Sequence, residues 1–187
     1  DKNAYKELTR RGFLTSVAGA ALVLTSTKVN AGVNAKVKAE ADRELTFYNT
    51  HTDEKLTATF WSEGQYLDDG VEEISWLLRD HRAGEANPMD TKLLDLLYQL
   101  QAKVERSGAF HVISGYRSPA TNKMLRNNSS GVAKRSYHML GQAIDVRLPG
   151  FDTQQLKKAA IAMKSGGVGY YASSNFVHLD VGRVRYW

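Results

Sequence analysis

The chain has 187 residues, no cysteine and a formal net charge of +5. The length suits one domain with a tail, and the lack of cysteine excludes disulfides and thiolate metal sites. Residues 1–31 hold five basic and two acidic residues, which leaves 20 basic and 18 acidic residues and a net charge of +2 for the rest. So small a charge gives no support for a nucleic-acid partner.

The first 31 residues have the layout of a twin-arginine export signal. Paired arginines in the segment 9–14 precede an apolar run over 17–24, and a small-residue cleavage site ends at Ala31. The apolar run is too short to span a membrane comfortably as a helix. We predict export to the periplasm by the twin-arginine machinery, with a polar linker over 32–42. An uncleaved anchor or an N-terminal amphipathic helix is the alternative.

The remaining residues, 43–187, have the pattern of one α+β domain. Residues 43–65 are typical of a β-hairpin, because two β-rich runs flank a polar turn. Apolar residues recur at helical spacing over 68–82 and again from 91 to about 105, where Asp90 is the expected N-cap. Further predicted elements are a strand at 110–114, a short helix from Pro119, a strand at 142–148, a helix capped by Asp152, and strands at 166–171 and 176–180.

Three histidines occupy positions that are more typical of structural than of chemical roles. His51 lies in the predicted hairpin turn, and His81 lies at the polar end of the first predicted helix. His111 alternates with Phe110 along a strand and therefore faces away from the side on which Phe110 packs. We expect solvated or hydrogen-bonded roles for all three.

The segment Ser136–Asp145 places a histidine, His138, seven residues before a carboxylate, Asp145. A second histidine, His178, follows in a late strand. Two imidazoles and one carboxylate suit a catalytic zinc ion with one open coordination position. Gly141 permits the chain to turn between the first two groups. Asp145 in an apolar strand is costly to bury unless it binds a metal or, as the alternative, pairs with an arginine.

Strand alternation places Asp180 on the same face as His178 and Phe176. The carboxylate of Asp180 is therefore predicted to act either as a base beside the metal or as a hydrogen-bond partner that orients a ligand.

The pattern Ser-x-His-x-x-Gly-x-Ala-x-Asp, followed by a late strand with a histidine, resembles the zinc peptidases of the M15, or LAS, group. That group contains D-alanyl-D-alanine carboxypeptidases, dipeptidases and murein endopeptidases, and the hedgehog signalling domain shares its fold. Residues 43–187 look most similar to the murein endopeptidase K-like branch, through the segments 113–118, 131–134, 166–171 and 185–187. The resemblance implies a central, mainly antiparallel sheet with helices on one side and a zinc cleft on the other.

The resemblance also implies roles for individual residues. His138, Asp145 and His178 would bind zinc, and Arg117 would bind a substrate carboxylate or the developing oxyanion, for which a guanidinium is well suited. Alternatively, Arg117 holds its loop through backbone carbonyls. Some relatives place a carboxylate where this chain has Asn175, and others a histidine where it has Phe176, so Asp180 as the base depends on strand geometry alone.

The expected function is that of a zinc-dependent murein endopeptidase that hydrolyses peptide cross-links between stem peptides of peptidoglycan, with diaminopimelate–diaminopimelate links as the expected bond. The alternatives are a D-alanyl-D-alanine carboxypeptidase or dipeptidase, a non-catalytic zinc-containing cell-wall binding module, which Asn175 favours, and a chance motif in a metal-free domain. Lys134 and Arg135 either favour anionic substrates or are ordinary surface charges.

Overall fold

The computed structural model describes residues 41–129 and 131–187. The predicted export signal, its cleavage site and nearly all of the predicted linker lie outside these residues. Eight strands form one sheet: β1 (Arg43–Asn49), β2 (Lys55–Ser62), β3 (Gln65–Tyr66), β4 (Phe110–Ser114), β5 (Ala143–Arg147), β6 (Gly167–Tyr171), β7 (Phe176–Asp180) and β8 (Arg185–Tyr186). The described residues form four α-helices, α1 (Asp68–Leu77), α2 (Thr91–Lys103), α3 (Pro119–Asn128) and α4 (Thr153–Met163).

The sheet is mainly antiparallel, as predicted. Its strand order is β3-β2-β1-β4-β5-β7-β6-β8, and only the β1–β4 and β6–β8 pairs are parallel. The predicted hairpin is confirmed, because β1 and β2 pair in antiparallel register around a turn that contains His51. Strands β5, β7 and β6 lie side by side on the other half of the sheet. The strands that carry Asp145 and His178, β5 and β7, are therefore direct neighbours.

One face of the sheet carries the hydrophobic core. Alternate residues of the central strands are fully buried, and they pack with the apolar stripes of α1, α2 and α4. The sheet side of this core consists mainly of Leu45, Phe47, Phe110, Val112, Ile144, Val146, Val168, Val177 and Leu179. The opposite face of β5 and β7 carries polar residues, and these form the candidate site.

Helix α1 ends five residues earlier than predicted, so that His81 lies in a turn and not on a helix. The carbonyl of Leu77 accepts a hydrogen bond from the Asn49 side chain at 3.0 Å, and that of Leu78 accepts one from the Tyr116 amide at 2.8 Å. These contacts satisfy carbonyl groups at the end of the helix. The buried Asp80 carboxylate then accepts a hydrogen bond from the Ser118 amide at 2.9 Å, which fixes the loop before α3.

The remaining helix starts follow the sequence closely. Asp90, Ser118 and Asp152 are N-caps, and each side chain accepts a hydrogen bond from an amide in the first turn of its helix. Within the described residues no helix combines the length and hydropathy that a bilayer-spanning helix needs.

Candidate metal centre

His138 is held on a short 3-10 helix, Tyr137–Leu140, at the edge of β5. Its backbone amide donates to the Ser136 side chain, which caps the helix at 3.4 Å. The helix ends at Gly141, which adopts a left-handed conformation with φ of 66°, so the predicted turn at this glycine is confirmed. A side chain at Gly141 would also collide with the carbonyl oxygen of Pro88. The glycine therefore sets how the histidine returns to the strand.

Asp145 and His178 lie directly opposite each other on the paired strands β5 and β7. Directly opposite residues of an antiparallel pair project to the same face, so both side chains point away from the hydrophobic core. Both are buried, as is His138. The structure thus brings together the three groups that were predicted as metal ligands.

Three side-chain atoms form a small triangle. The Nε2 atom of His138 lies 3.2 Å from Nδ1 of His178 and 3.3 Å from Oδ1 of Asp145, and the last two atoms are 2.8 Å apart. A tetrahedral zinc ion with ligands at about 2.0–2.1 Å has ligand–ligand edges of about 3.3 Å. Of the described His, Asp and Glu residues, this is the only group of three or more whose geometry fits a metal ion. The donor types and spacing therefore fit a metal ion.

The second ring nitrogen of each histidine is bound to an oxygen. The Nδ1 atom of His138 lies 2.7 Å from the Gly115 carbonyl oxygen, and Nε2 of His178 lies 3.0 Å from Oδ2 of Asp180. Because a carbonyl and a carboxylate only accept hydrogen bonds, each of these nitrogens carries the proton. The Nε2 atom of His138 is then left with a lone pair for a metal, whereas Nδ1 of His178 lies 2.8 Å from Oδ1 of Asp145 and donates to it when the imidazole is charged.

Asp180 lies behind His178, on the side away from the triangle. Its carboxylate is fully buried and accepts two hydrogen bonds from the Arg185 guanidinium, at 2.6 and 3.0 Å, and one each from the amides of Gly167 and Gly182. This position favours the second of its two predicted roles, orientation of a ligand histidine, since a base must reach the attacking water. The base role of Asp180 stays a prediction that its contacts do not favour.

Arg117 lies beside the triangle and is bonded to one of its members. One terminal nitrogen donates to Oδ2 of Asp145, and Nε donates to the Ser114 hydroxyl at 2.7 Å. Arg117 thus holds the oxygen of Asp145 that points away from the two histidines. The alternative pairing of Asp145 with an arginine is present, and it uses Oδ2, so Oδ1 stays in the triangle with the two histidines.

The charge states of the cluster follow from burial and from these contacts. Burial lowers the pKa of His138, because the charged imidazolium would lose its hydration. Burial alone would raise the pKa of Asp145, but the two histidines outweigh it and hold that pKa far below its usual range. Burial also opposes charge on His178, whereas its hydrogen bonds to Asp145 and Asp180 raise its pKa. A metal at Nδ1 of His178 would displace the proton that this nitrogen carries when the imidazole is charged.

A cleft of about 360 Å³ opens over the triangle. Residues 131–133 and 135–137 form one wall, and the aromatic residues Tyr171, Phe176 and Trp187 form another. There Tyr171 and Phe176 stack with their ring centroids 4.6 Å apart, and the Trp187 ring lies 5.3 Å from the His178 ring. A side chain at Gly169, on β6, would lie 2.6 Å from the indole of Trp187. Glycine is thus required where the aromatic wall covers the strand.

Sequence reasoning missed the role of Arg185. Its guanidinium binds Asp180 and lies 5.2 Å from the ring centroid of Tyr137 and 5.0 Å from that of Trp187. The segment 185–187 stood out only through the family resemblance, and no local pattern linked it to His178. A buried aspartate on the metal-side face was the one available signal, because such a group requires a cationic partner.

The other three histidines and Asn175 are not part of the triangle. The rings of His51 and His81 stack 4.1 Å apart in turns, and the ring of His111 lies 4.7 Å from that of Tyr48. Asn175 is exposed, has φ of 52° and accepts a hydrogen bond from the Thr153 hydroxyl. Asparagine suits this left-handed turn, so Asn175 has a conformational role.

Comparisons with known proteins found one matching family model and several similar proteins. The family model Peptidase_M15_2, described as peptidoglycan L,D-endopeptidase MepK, matches residues 37–187. The chain is 42% identical over 153 residues to the peptidoglycan L,D-endopeptidase MepK of Escherichia coli K12, which covers 82% of this chain and 84% of that protein. It is 40% identical over 156 residues to the probable peptidoglycan L,D-endopeptidase MepK of Haemophilus influenzae, covering 83% of this chain and 84% of that protein.

Proposed function

The chain belongs to the Peptidase_M15_2 family of MepK-type peptidoglycan endopeptidases, and we propose that it hydrolyses peptide cross-links of peptidoglycan with a zinc ion held by His138, Asp145 and His178. The observation that carries the metal assignment is the triangle of Nε2, Oδ1 and Nδ1 atoms, with edges of 2.8–3.3 Å. The family membership carries the reaction and the substrate class.

A zinc ion held by His138, Asp145 and His178 would supply a water whose pKa is lowered to about 7 and a Lewis acid for the scissile carbonyl. The chain's own residues orient the ligands around it. The Gly115 carbonyl holds the proton of His138 at Nδ1, and Asp180 holds that of His178 at Nε2. Arg117 holds the second oxygen of Asp145 and lines the cleft, where its guanidinium is proposed to face the carbonyl oxygen under attack.

The proposed bond is a diaminopimelate–diaminopimelate cross-link. The relatives are named L,D-endopeptidases, and a link of this kind joins an L-centre to a D-centre. The same scaffold would also suit a D-alanyl-D-alanine carboxypeptidase or dipeptidase, which trims uncross-linked stems.

One experiment tests the activity and the metal together. The purified domain is analysed for zinc, and isolated peptidoglycan is digested with and without a chelator and resolved by mass spectrometry. We expect about one zinc per chain and loss of cross-linked muropeptides in the metal-bound sample alone. Trimming of uncross-linked stems alone would identify a carboxypeptidase, and zinc without any cleavage would identify a binding module.

A peptidoglycan substrate requires a periplasmic or extracellular location, and we propose the periplasm, reached by the twin-arginine route. The paired arginines Arg10 and Arg11 and the apolar run that follows support this route. Replacing both arginines by lysine should leave the full-length protein in the cytoplasmic fraction. Export of that variant at the normal level would contradict the route.

A further inference from the structure

Three arginines line the cleft, and two of them already have carboxylate partners. Arg117 is bonded to Asp145, and Arg185 is bonded to Asp180. The third, Arg135, is exposed and makes no hydrogen bond or ion pair with any residue in the described part of the chain. Of the three cleft arginines, Arg135 is therefore the one whose guanidinium has no carboxylate partner among the described residues.

The backbone that carries Arg135 is fixed on both sides. The buried Asn122 side chain donates to the Ala133 carbonyl at 3.1 Å, and the Ser136 hydroxyl accepts from the His138 amide at 3.4 Å. These contacts tie the segment 131–137 to α3 at one end and to a predicted metal ligand at the other. Arg135 is thus held beside the triangle, although its side chain is free to bind.

The charges around the cleft favour an anionic group in the substrate. Asp145 is the one carboxylate among the described residues that line the cleft, and its second oxygen is occupied by Arg117. The neighbouring Lys134 is also exposed but does not line the cleft. A guanidinium offers a planar pair of donors that matches a carboxylate, and a carboxamide cannot accept such a pair in the same way.

We propose that Arg135 binds a free carboxylate of the stem peptide and thereby makes the enzyme select cross-links in which that carboxylate is not amidated. The inference rests on the proposed function, because it assigns a substrate feature to the same cleft. The carboxylate belongs either to the side chain of a diamino acid in the link or to the free end of a stem. Both present the same group to the guanidinium.

The test compares Arg135→Gln with Lys134→Gln as the matched control. Each variant is assayed on cross-linked muropeptides with free carboxylates, with the diamino-acid carboxylate amidated, and with the terminal carboxylate amidated. For the wild type, amidation of the recognised carboxylate should raise KM about tenfold or more with kcat nearly unchanged. Arg135→Gln should raise KM by a similar factor for the substrate with free carboxylates, so that its KM values for the free and amidated substrates become equal. Lys134→Gln should keep the wild-type difference in KM between these substrates.

A variant Arg135→Lys retains the charge and should restore part of the preference. Zinc content and melting temperature should be the same for all variants, since Arg135 contacts neither the triangle nor the core. A wild-type preference retained by Arg135→Gln, or an equal loss on free and amidated substrates, would overturn the assignment.

A binding measurement distinguishes failure of this inference from failure of the proposed function. Fluorescence anisotropy with the same labelled muropeptides measures affinity whether or not they are cut. If the wild type cuts nothing, the hydrolase assignment fails, and the anisotropy result still decides the role of Arg135. Weaker binding of free-carboxylate muropeptides to Arg135→Gln would support it, and unchanged binding would overturn it.

Discussion

At the scale of single residues, each predicted ligand histidine has an oxygen partner at the ring nitrogen outside the triangle. Gly115 supplies a carbonyl oxygen to His138, and Asp180 supplies a carboxylate oxygen to His178. Hydrogen-bond partners of this kind set ring orientation and ligand basicity, and their loss typically weakens metal binding. The residues behind the ligands should therefore influence zinc affinity nearly as strongly as the ligands themselves.

Replacing either predicted ligand histidine should remove the metal without unfolding the domain. His138→Ala and His178→Ala each delete one corner of the triangle but leave the core face of the sheet intact. Elemental analysis should show loss of stoichiometric zinc, and circular dichroism should show the normal helical content. The matched control is His111→Ala on β4, which should keep its zinc. Stoichiometric zinc in either ligand variant would refute that ligand.

Replacing Asp180 distinguishes its two predicted roles. If Asp180 orients His178, Asp180→Asn should weaken zinc binding about 10–100-fold, because the amide cannot hold the imidazole proton as the carboxylate does. If Asp180 is the base, the variant should bind zinc normally and lose kcat alone. Zinc affinity measured by chelator competition, together with kcat at saturating zinc, separates these outcomes. Asp69→Asn, at an exposed position of α1, is the control.

At the scale of elements, a β-bulge in β4 shapes the site. The register of β4 against β5 shifts between Val112 and Ser114, so that Ser114 lies opposite Asp145. In an unshifted register Ser114 would share the core face with Val112. The bulge turns its hydroxyl toward the metal-side face, where it binds Arg117. The alternation of the sequence could not indicate this change.

The loop after β4 packs closely against the end of α1, and the closest approach is at Gly115. A methyl group at Gly115 would lie 2.3 Å from the carbonyl oxygen of Leu78. Gly115→Ala should therefore displace the loop that carries the Gly115 carbonyl and Arg117. We expect a destabilisation of about 1–3 kcal/mol and weaker zinc binding, measured by denaturant unfolding and chelator competition.

The matched control for this loop is Gly131→Ala. An added methyl there has only an ordinary contact, at 3.8 Å, with the Ser129 side chain. Its stability and zinc affinity should be close to those of the wild type. If both alanine variants behaved alike, the close approach at Gly115 would not limit the position of the loop.

At the scale of the whole molecule, the proposed zinc ion joins β5, β7 and the 3-10 helix that carries His138. A ligand that binds only the folded state at 1,000 times its Kd stabilises that state by about 4 kcal/mol. For a domain of this size, zinc removal should lower the Tm by about 10 °C. Calorimetry with and without a chelator measures the shift, and His138→Ala supplies the metal-free reference. Equal Tm values with and without chelator would contradict a metal bridge between these elements.

The sequence by itself determined most of the elements and the chemical character of the site. Hydrophobic periodicity and the caps Asp90 and Asp152 located α2 and α4, because helix patterning and capping are local properties. The spacing of His138, Gly141 and Asp145, with His178 in a late strand, indicated a metal centre and the peptidase family. The α+β fold with its mainly antiparallel sheet followed from the same patterns and the resemblance.

Only the tertiary structure decided which residues contact each other around the predicted metal ligands. It ended α1 at Leu77 and placed Arg185 on Asp180, because these arrangements depend on partners that are distant in sequence. It also separated Arg135, which lines the cleft, from Lys134, which does not. Local patterns specify how a segment folds and which groups it carries. Long-range packing determines which of those groups meet, since a buried charge selects its partner by proximity and not by sequence spacing.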